Sequence, residues 1–402
     1  MQDNEWGFFG HRRINRLAVF TLPPEMIGFY KSNIEFITEH AVDPDKRRYA
    51  SKFEGSRHYL DLDRYGKTPY ADLPRKWNEA LLKYTDLYII TSASDTLLVF
   101  NKDNVKENFQ SYICQGKGVK KLFGQDSIFI DKKAYQTFFN ENFVKKYYDE
   151  DFEIPIEAFN EVLKKSNIGE LVADRVFVHD NLTEHGVLPY NLLEQQRRLT
   201  NAFKEKNAYK ILRISAEIGH YIGDAHVPLH TSQNYNGQLT KQDGIHGFWE
   251  SRIPELFADD NYDFFVGKCN YIEDYDNYFW NVVLTSNTYV PEVLRIEKEL
   301  SMTFPQDQQY CYDERLGQTV RTQCKDYAAA YSERLQGSVE KRMRDAILSV
   351  GSVWYSCWVD AGQPDLNDLK IEVNKVDEEK EVEKNLDAAF KAGIIKGRAH
   401  DN

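Results

Sequence analysis

The feature that most constrains this chain is the stretch AEIGHYIGDAHVPLH, in which His220 and Asp224 stand four residues apart on an apolar helical background. Ile211, Leu212, Ile218 and Ile222 form the other face of that helix. A spacing of four stacks an imidazole and a carboxylate one turn apart on one face, which suits two ligands of one metal ion. Pro228 ends the helix, and His230 follows on the turn beyond it. HGFWE repeats the spacing with His246 and Glu250. One such pair is more often a helix-surface hydrogen bond; two pairs and a histidine just past a proline favour metal. Upstream stand His11 in WGFFGH, Asp43 in AVDPDKRR and His58 in RHYLDLD. Imidazole and carboxylate without cysteine point to zinc or another divalent ion bound for chemistry rather than structure. His40, His179, His185, His226 and His400 read as structural or surface residues. His226, two positions after Asp224, faces a different side of the helix.

The background is mainly α. Helical patterns cover 13–21, 24–42, 74–84, 132–148, 154–165, 189–205, 207–227, 246–257, 276–287, 292–303 and 322–349. Strand-like runs are confined to 87–91, 97–100 and 127–130, inside a Tyr- and Phe-rich stretch over about 65–180 that reads as a mixed α/β insertion. A main domain of 6–360, which contains that insertion, then precedes a charge-dense segment, 361–402, read as an exposed, solvated helix or tail. The 402 residues are 42% hydrophobic and 14% aromatic, which supports a real core and excludes a disordered chain. No apolar run is long enough to span a membrane.

The first residues are polar and carry no apolar signal core, so either the protein is cytoplasmic or a signal has been removed. Five cysteines include no CxxC pair, which leaves zinc-ribbon and thioredoxin readings without support. Cys311 and Cys324 flank a polar stretch where a disulfide could close a surface loop; scattered free thiols are the alternative. The formal charge of −12 argues against gripping nucleic acid by bulk electrostatics.

Taken together, WGFFGH, AVDPDKRR, RHYLDLD, GHYIGDAHVPLH and HGFWE occur in the order found in the superfamily of zinc-dependent phospholipases C and single-strand-specific nucleases, which the sequence resembles. The resemblance spans Trp6 to Glu250, with a terminal helix running to about Val359. It implies a helical fold that holds three zinc ions. Asp43, His58, His220 and Asp224 would hold the first, and His230, His246 and Glu250 the second. Trp6, His11 and a bridging Asp224 would hold the third. In the family the tryptophan is the mature N-terminus and chelates through its amino group. Five residues precede Trp6 here, so either processing exposes it or the third site is weak.

The two branches of the family compete. Trp6-x-x-x-x-His11 has the short spacing of the nucleases, whereas His246-x-x-x-Glu250 and the 15 residues between His230 and His246 look like the phospholipases. Tyr59 and Asp61 match positions that contact substrate in the family. Asp43 would orient or deprotonate the attacking water, with Lys46 or Arg48 assisting the phosphate; a solvated basic cluster is the plain alternative for those two. The expected activity is phosphodiester hydrolysis on a phospholipid headgroup, which brings the protein to a membrane surface, or on single-stranded nucleic acid. An inactive metal-binding surface module is a further alternative. Export to the periplasm or outside the cell follows from the family. Three zinc ions would bring the net charge nearer to −6 and concentrate positive charge in a cleft, so net charge no longer excludes a nuclease.

Overall fold

A computed structural model describes residues 6–146, 153–315, 318–367, 369, 384–390 and 392–393. The chain forms two units, Met1–Tyr70 with Gly186–Asn402, and Ala71–His185. The expected insertion over 65–180 thus corresponds to a unit lying slightly further along the chain.

The first unit is mainly helical. Its main helices are Trp6–Ala18, Pro24–Ser32, Ile34–Glu39, Leu188–Lys204, Ala208–His226, Ile253–Asn261, Tyr275–Thr303, Lys325–Arg334 and Ser338–Asp360. Their starts obey local chemistry. Pro24 occupies a first-turn position, where its missing N–H costs nothing. The side chains of Asn207 and Asp274 accept the otherwise unpaired N–H groups of Lys210 and Asn277. The apolar face of Ala208–His226 packs against Leu188–Lys204 and Ser338–Asp360. Trp354, fully buried, stacks on Tyr30 at 4.9 Å and donates its indole N–H to the Ser215 carbonyl at 3.0 Å. That contact ties the last long helix to the one bearing His220.

Three expectations need correction. The segments 276–287 and 292–303 are one helix, Tyr275–Thr303, with Pro291 inside it. Proline removes one helical hydrogen bond, but buried Val290 and Val293 on either side hold the helix together by packing. The expected 322–349 helix is instead two, parted at Gln336 and Gly337, whose φ values of 50° and 76° are left-handed. Tyr310–Arg315 and Gln318–Gln323 pair as an antiparallel hairpin where no strand was expected, and Cys311 and Cys324 form a disulfide across it.

The tail expected to be solvated is partly packed. Residues 384–390 are helical, Leu386 is buried, and the Phe390 ring meets Phe8 and Tyr49. Apolar positions within a charge-rich segment supply this anchoring, which the overall charge density obscured.

The second unit is α/β, built on two antiparallel sheets. Its strands are β1 (Thr85–Ile90), β2 (Thr96–Phe100), β3 (Val105–Glu107), β4 (Ser111–Gln115), β5 (Ser127–Asp131), β6 (Glu153–Pro155) and β7 (Arg175–Asp180). One sheet has the order β2-β1-β7-β6 and the other β3-β4-β5. In the first, buried Leu87 and Ile89 lie opposite buried Val178 and Val176, so register follows from one apolar face. The three strands expected are present, and β3, β4, β6 and β7 are additional to them; β3 and β6, of three residues each, are too short to show a period of two, whereas β4 and β7 do alternate in burial.

Candidate metal centre

Two glycines bring the halves of the site together. A Cβ at Gly219 would lie 2.0 Å from Asn15 Oδ1, and one at Gly223 would lie 2.8 Å from His11 Nδ1. Their absence of a side chain lets the Trp6–Ala18 helix press onto Ala208–His226. Asn15 locks the approach by donating to the Ala216 carbonyl at 2.9 Å. The His11 ring then stacks on His220 with centroids 3.8 Å apart.

Among the described residues, three groups offer candidate ligand atoms within 4.8 Å of one another: His11, His220 and Asp224; Asp45, His58 and His220; and His230, His246 and Glu250. Asp224 stands between them. Its Oδ2 lies 3.0 Å from His58 Nδ1 and 3.3 Å from His220 Nε2, while its Oδ1 lies 3.4 Å from His11 Nε2 and 3.8 Å from His230 Nε2. Glu250 plays a similar part further along: Oε2 is 2.7 Å from His246 Nε2 and 3.2 Å from His230 Nε2, and Oε1 is 3.5 Å from His11 Nε2. The spacing of four thus pairs His220 with Asp224 and His246 with Glu250. The second pair sits on an irregular turn, Ile245–Gly247 continuing into a π-helical Phe248–Arg252.

The structure replaces one expected ligand. Asp43 points away from the three groups, with Oδ2 2.6 Å from His40 Nδ1 and 2.9 Å from Arg213. Asp45 takes the position instead, its Oδ1 3.7 Å from His220 Nε2 and 3.8 Å from His58 Nδ1. Both belong to one short helix, Asp43–Arg47, on which a step of two residues turns a side chain to nearly the opposite side. Arg213, two turns before His220, captures the first carboxylate and leaves the second for the site. The water-activating role expected of Asp43 goes with that correction, since a guanidinium already engages its carboxylate.

Backbone carbonyls set two of the imidazoles. His220 donates from Nδ1 to the Ala41 carbonyl at 2.8 Å, and His230 from Nδ1 to the His58 carbonyl at 2.6 Å. Each therefore presents Nε2 to the groups, the orientation that metal-bound histidines adopt. His226 behaves as the sequence suggests. It bonds Ile222 O and Ser349 Oγ, away from the groups, and burial followed by the Arg342 charge holds it well below the usual histidine range.

The electrostatics call for positive charge. Burial pushes His11 down, but its hydrogen bond to Glu250 and the charges of Asp224 and Asp45 outweigh burial and raise it to about 9. Burial likewise opposes the charge on His58, yet Asp224, Glu54 and Asp45 raise it to about 8. Burial disfavours ionised Asp224 and Glu250, but the surrounding histidines hold both well below the carboxylate range. Without an ion, protons must balance these buried carboxylates. Divalent cations satisfy the same demand while using every imidazole nitrogen aimed inward, so the donor set fits metal.

Sequence reasoning missed the charged layer behind the first group. Buried Glu54 pairs with Arg57 at 2.9 Å and Arg47 at 3.3 Å, accepts from the Tyr221 hydroxyl, and lies 3.7 Å from His58 Nε2. Burial favours its neutral form, but Arg47, His58 and Arg57 keep it ionised below the ordinary range. Glu217 joins Arg47 and Arg213 at 2.6 and 2.7 Å. The available signal was helical spacing: Glu54 precedes His58 by four and Glu217 precedes His220 by three.

The remaining expected residues divide. Arg48 is buried beside the centre, 3.4 Å from Asp45, and its Nε and second terminal nitrogen have no hydrogen-bond partner among the described residues. Lys46 pairs with Asp387 at 2.9 Å. Tyr59 and Asp61 are buried on the loop after His58 and are not members of the three groups. Trp6 opens the first helix, and its side chain lies outside the described residues.

Fold and site together define a mainly helical protein with a buried centre of histidines and carboxylates compatible with metal ions. No family model, curated protein or solved structure matches the chain.

Proposed function

We propose that this protein is a zinc-dependent phosphodiester hydrolase of the phospholipase C type. The observation carrying this reading is the gathering of five histidines and three carboxylates, without cysteine, around Asp224. Such a set suits zinc. His11, His58, His220, His230, His246, Asp45, Asp224 and Glu250 would hold the ions. When bound, zinc supplies Lewis acidity, polarising phosphoryl oxygens and making water a competent nucleophile near neutral pH.

The chain's own residues supply position and charge. Arg48, with unused N–H groups beside Asp45, is suited to donate to a non-bridging phosphoryl oxygen. Asp45 and Glu250 are the partly exposed carboxylates, with side chains 19% and 14% exposed, whereas Asp224 is sealed at 1%. Asp45 and Glu250 are therefore the carboxylate ligands nearest to incoming water. Asp224 holds the groups in register.

Single-strand nuclease activity is the second reading, favoured by the short spacing from Trp6 to His11. Export is supported by the Cys311–Cys324 disulfide, which persists in oxidising compartments. No helix among the described residues is long and apolar enough to cross a membrane, so lipid would be met at a bilayer surface.

The test is hydrolysis of phosphatidylcholine against single-stranded DNA and RNA, with and without chelator. Chelator-sensitive release of a phosphorylated headgroup without nucleotide release is the expected result. Nucleotide release alone decides for the nuclease. Retained zinc with no turnover on any phosphoester leaves the inactive metal-binding module.

A further inference from the structure

Arg252 follows Glu250 by two residues and is the last residue of the π-helical turn Phe248–Arg252. It is buried, and its guanidinium reaches the disulfide-closed hairpin. Nε donates to the Gln323 carbonyl at 3.0 Å, and a terminal nitrogen meets the Asp313 carboxylate at 2.9 Å. Asp313 belongs to the strand Tyr310–Arg315 and Gln323 to Gln318–Gln323. One rigid guanidinium fork therefore spans both strands.

A two-stranded hairpin alone is marginally stable in water, and among the described residues this one pairs with no third strand. The Cys311–Cys324 bond closes it. Cys324 is next to Gln323 in the chain, and Cys311 stands two residues before Asp313, so the bond joins the strands where Arg252 grips them. The same end is fixed to the helical body. Gln309 accepts the Cys324 N–H through its carbonyl at 3.0 Å and donates its side-chain amide to the Ser301 and Phe304 carbonyls at 2.7 and 3.0 Å. Cys324 also shares an apolar cluster with Phe248, Trp249 and Tyr327. The π turn, a rare break in regular helix geometry, is thus tied from outside to a fixed anchor.

We propose that Arg252 is a positioning residue for the group of His230, His246 and Glu250. It clamps the turn that runs from His246 through Glu250 to the hairpin, so zinc affinity at this group depends on the Cys311–Cys324 bond. The clamp rests on the metal-holding part of the proposed function and not on hydrolysis.

The test uses the full-length, zinc-loaded protein, Arg252→Gln, the Cys311→Ser/Cys324→Ser pair and the two combined. Competitive chelator titration resolves zinc at this group from zinc held by Asp45, His58 and His220, and amide hydrogen exchange follows residues 246–252. Arg252→Gln and the serine pair should each weaken zinc at the His246 group about tenfold, the low end of the range for outer partners of metal ligands. Exchange over 246–252 should quicken, with the Asp45 group unchanged. Combined, the changes should still cost about tenfold rather than about a hundredfold, because both break one clamp. Asp313→Asn, which keeps the bond to Gln323, should cost about threefold and decides the matter if Arg252→Gln does not fold. Unchanged zinc at the His246 group, equal weakening of both groups, or additive losses in the combined variant overturns the clamp. Selective, non-additive loss in a protein that hydrolyses no phosphodiester supports the clamp and sinks the hydrolase reading. An unaltered protein that takes up no zinc overturns both.

Discussion

The two ends of the candidate metal centre are held in different ways. Asp45, His58 and His220 sit in front of a buried charged layer in which Glu54, Glu217, Arg47, Arg57 and Arg213 are linked by ion pairs. His230, His246 and Glu250 depend on backbone geometry instead, a short turn at Pro228–Thr231 and the π-helical Phe248–Arg252. The first arrangement fixes side chains through charge, so it is sensitive to removal of any one partner. The second fixes them through chain path and apolar packing, since Phe248 and Trp249 are buried in the core beneath Glu250. Preorganising a metal centre does not require one kind of support, and the two kinds should fail differently.

Asp224 belongs to neither end alone, so Asp224→Asn should give the largest effect. Zinc should be lost from both ends, with phosphodiester turnover down about a thousandfold, roughly 4 kcal/mol of lost stabilisation. Metal content by mass spectrometry and single-turnover rates measure both; loss of one ion only would remove Asp224 from its central role. Glu250→Gln and Asp45→Asn should each weaken zinc at one end, by about a hundredfold if each contributes roughly 2.7 kcal/mol. Competitive chelator titration resolves the ends, and equal weakening of both by either variant would break the comparison.

Behind the first end, Glu54→Gln should cost about tenfold in metal affinity, within the range for outer partners of metal-bound histidine. The second end should be unaffected, which a purely structural role for Glu54 would not predict. The smallest metal effect is expected for Asp43→Asn. Zinc content should stay unchanged while stability falls by about 1.5 kcal/mol, because Arg213 loses one charged partner and keeps Glu217. Thermal denaturation together with zinc content checks this, and zinc loss would return Asp43 to the site.

Much of the site was legible in the sequence. His220 with Asp224, and His246 with Glu250, follow from helical spacing, and His230 from its place after Pro228. The choice between Asp43 and Asp45 was not legible. Both carboxylates sit in the same basic stretch, and only the approach of Arg213 from another helix separates them. Glu54 and Glu217 have the right local spacing, but a lone acid four residues from a histidine is common on helix surfaces. In the fold, long amphipathic helices showed clearly in the pattern. The Tyr310–Arg315 hairpin strand and its partner did not, because a polar, charged stretch gives no apolar alternation to read. Pro291 misled for the opposite reason: a local helix breaker was overridden by buried neighbours.

By itself the sequence determined which chemistry this chain can hold: imidazoles and carboxylates at helical spacing, a mainly helical body and an α/β insert. Those properties depend on neighbours within a turn or two, where the periodicity of the backbone governs. The tertiary structure decided which carboxylate meets which histidine, that Gly219 and Gly223 admit His11 to the centre, and that Phe390 packs against Phe8 and Tyr49. These contacts join residues far apart in the chain. They depend on close packing and charge pairing in three dimensions, and no local pattern encodes them.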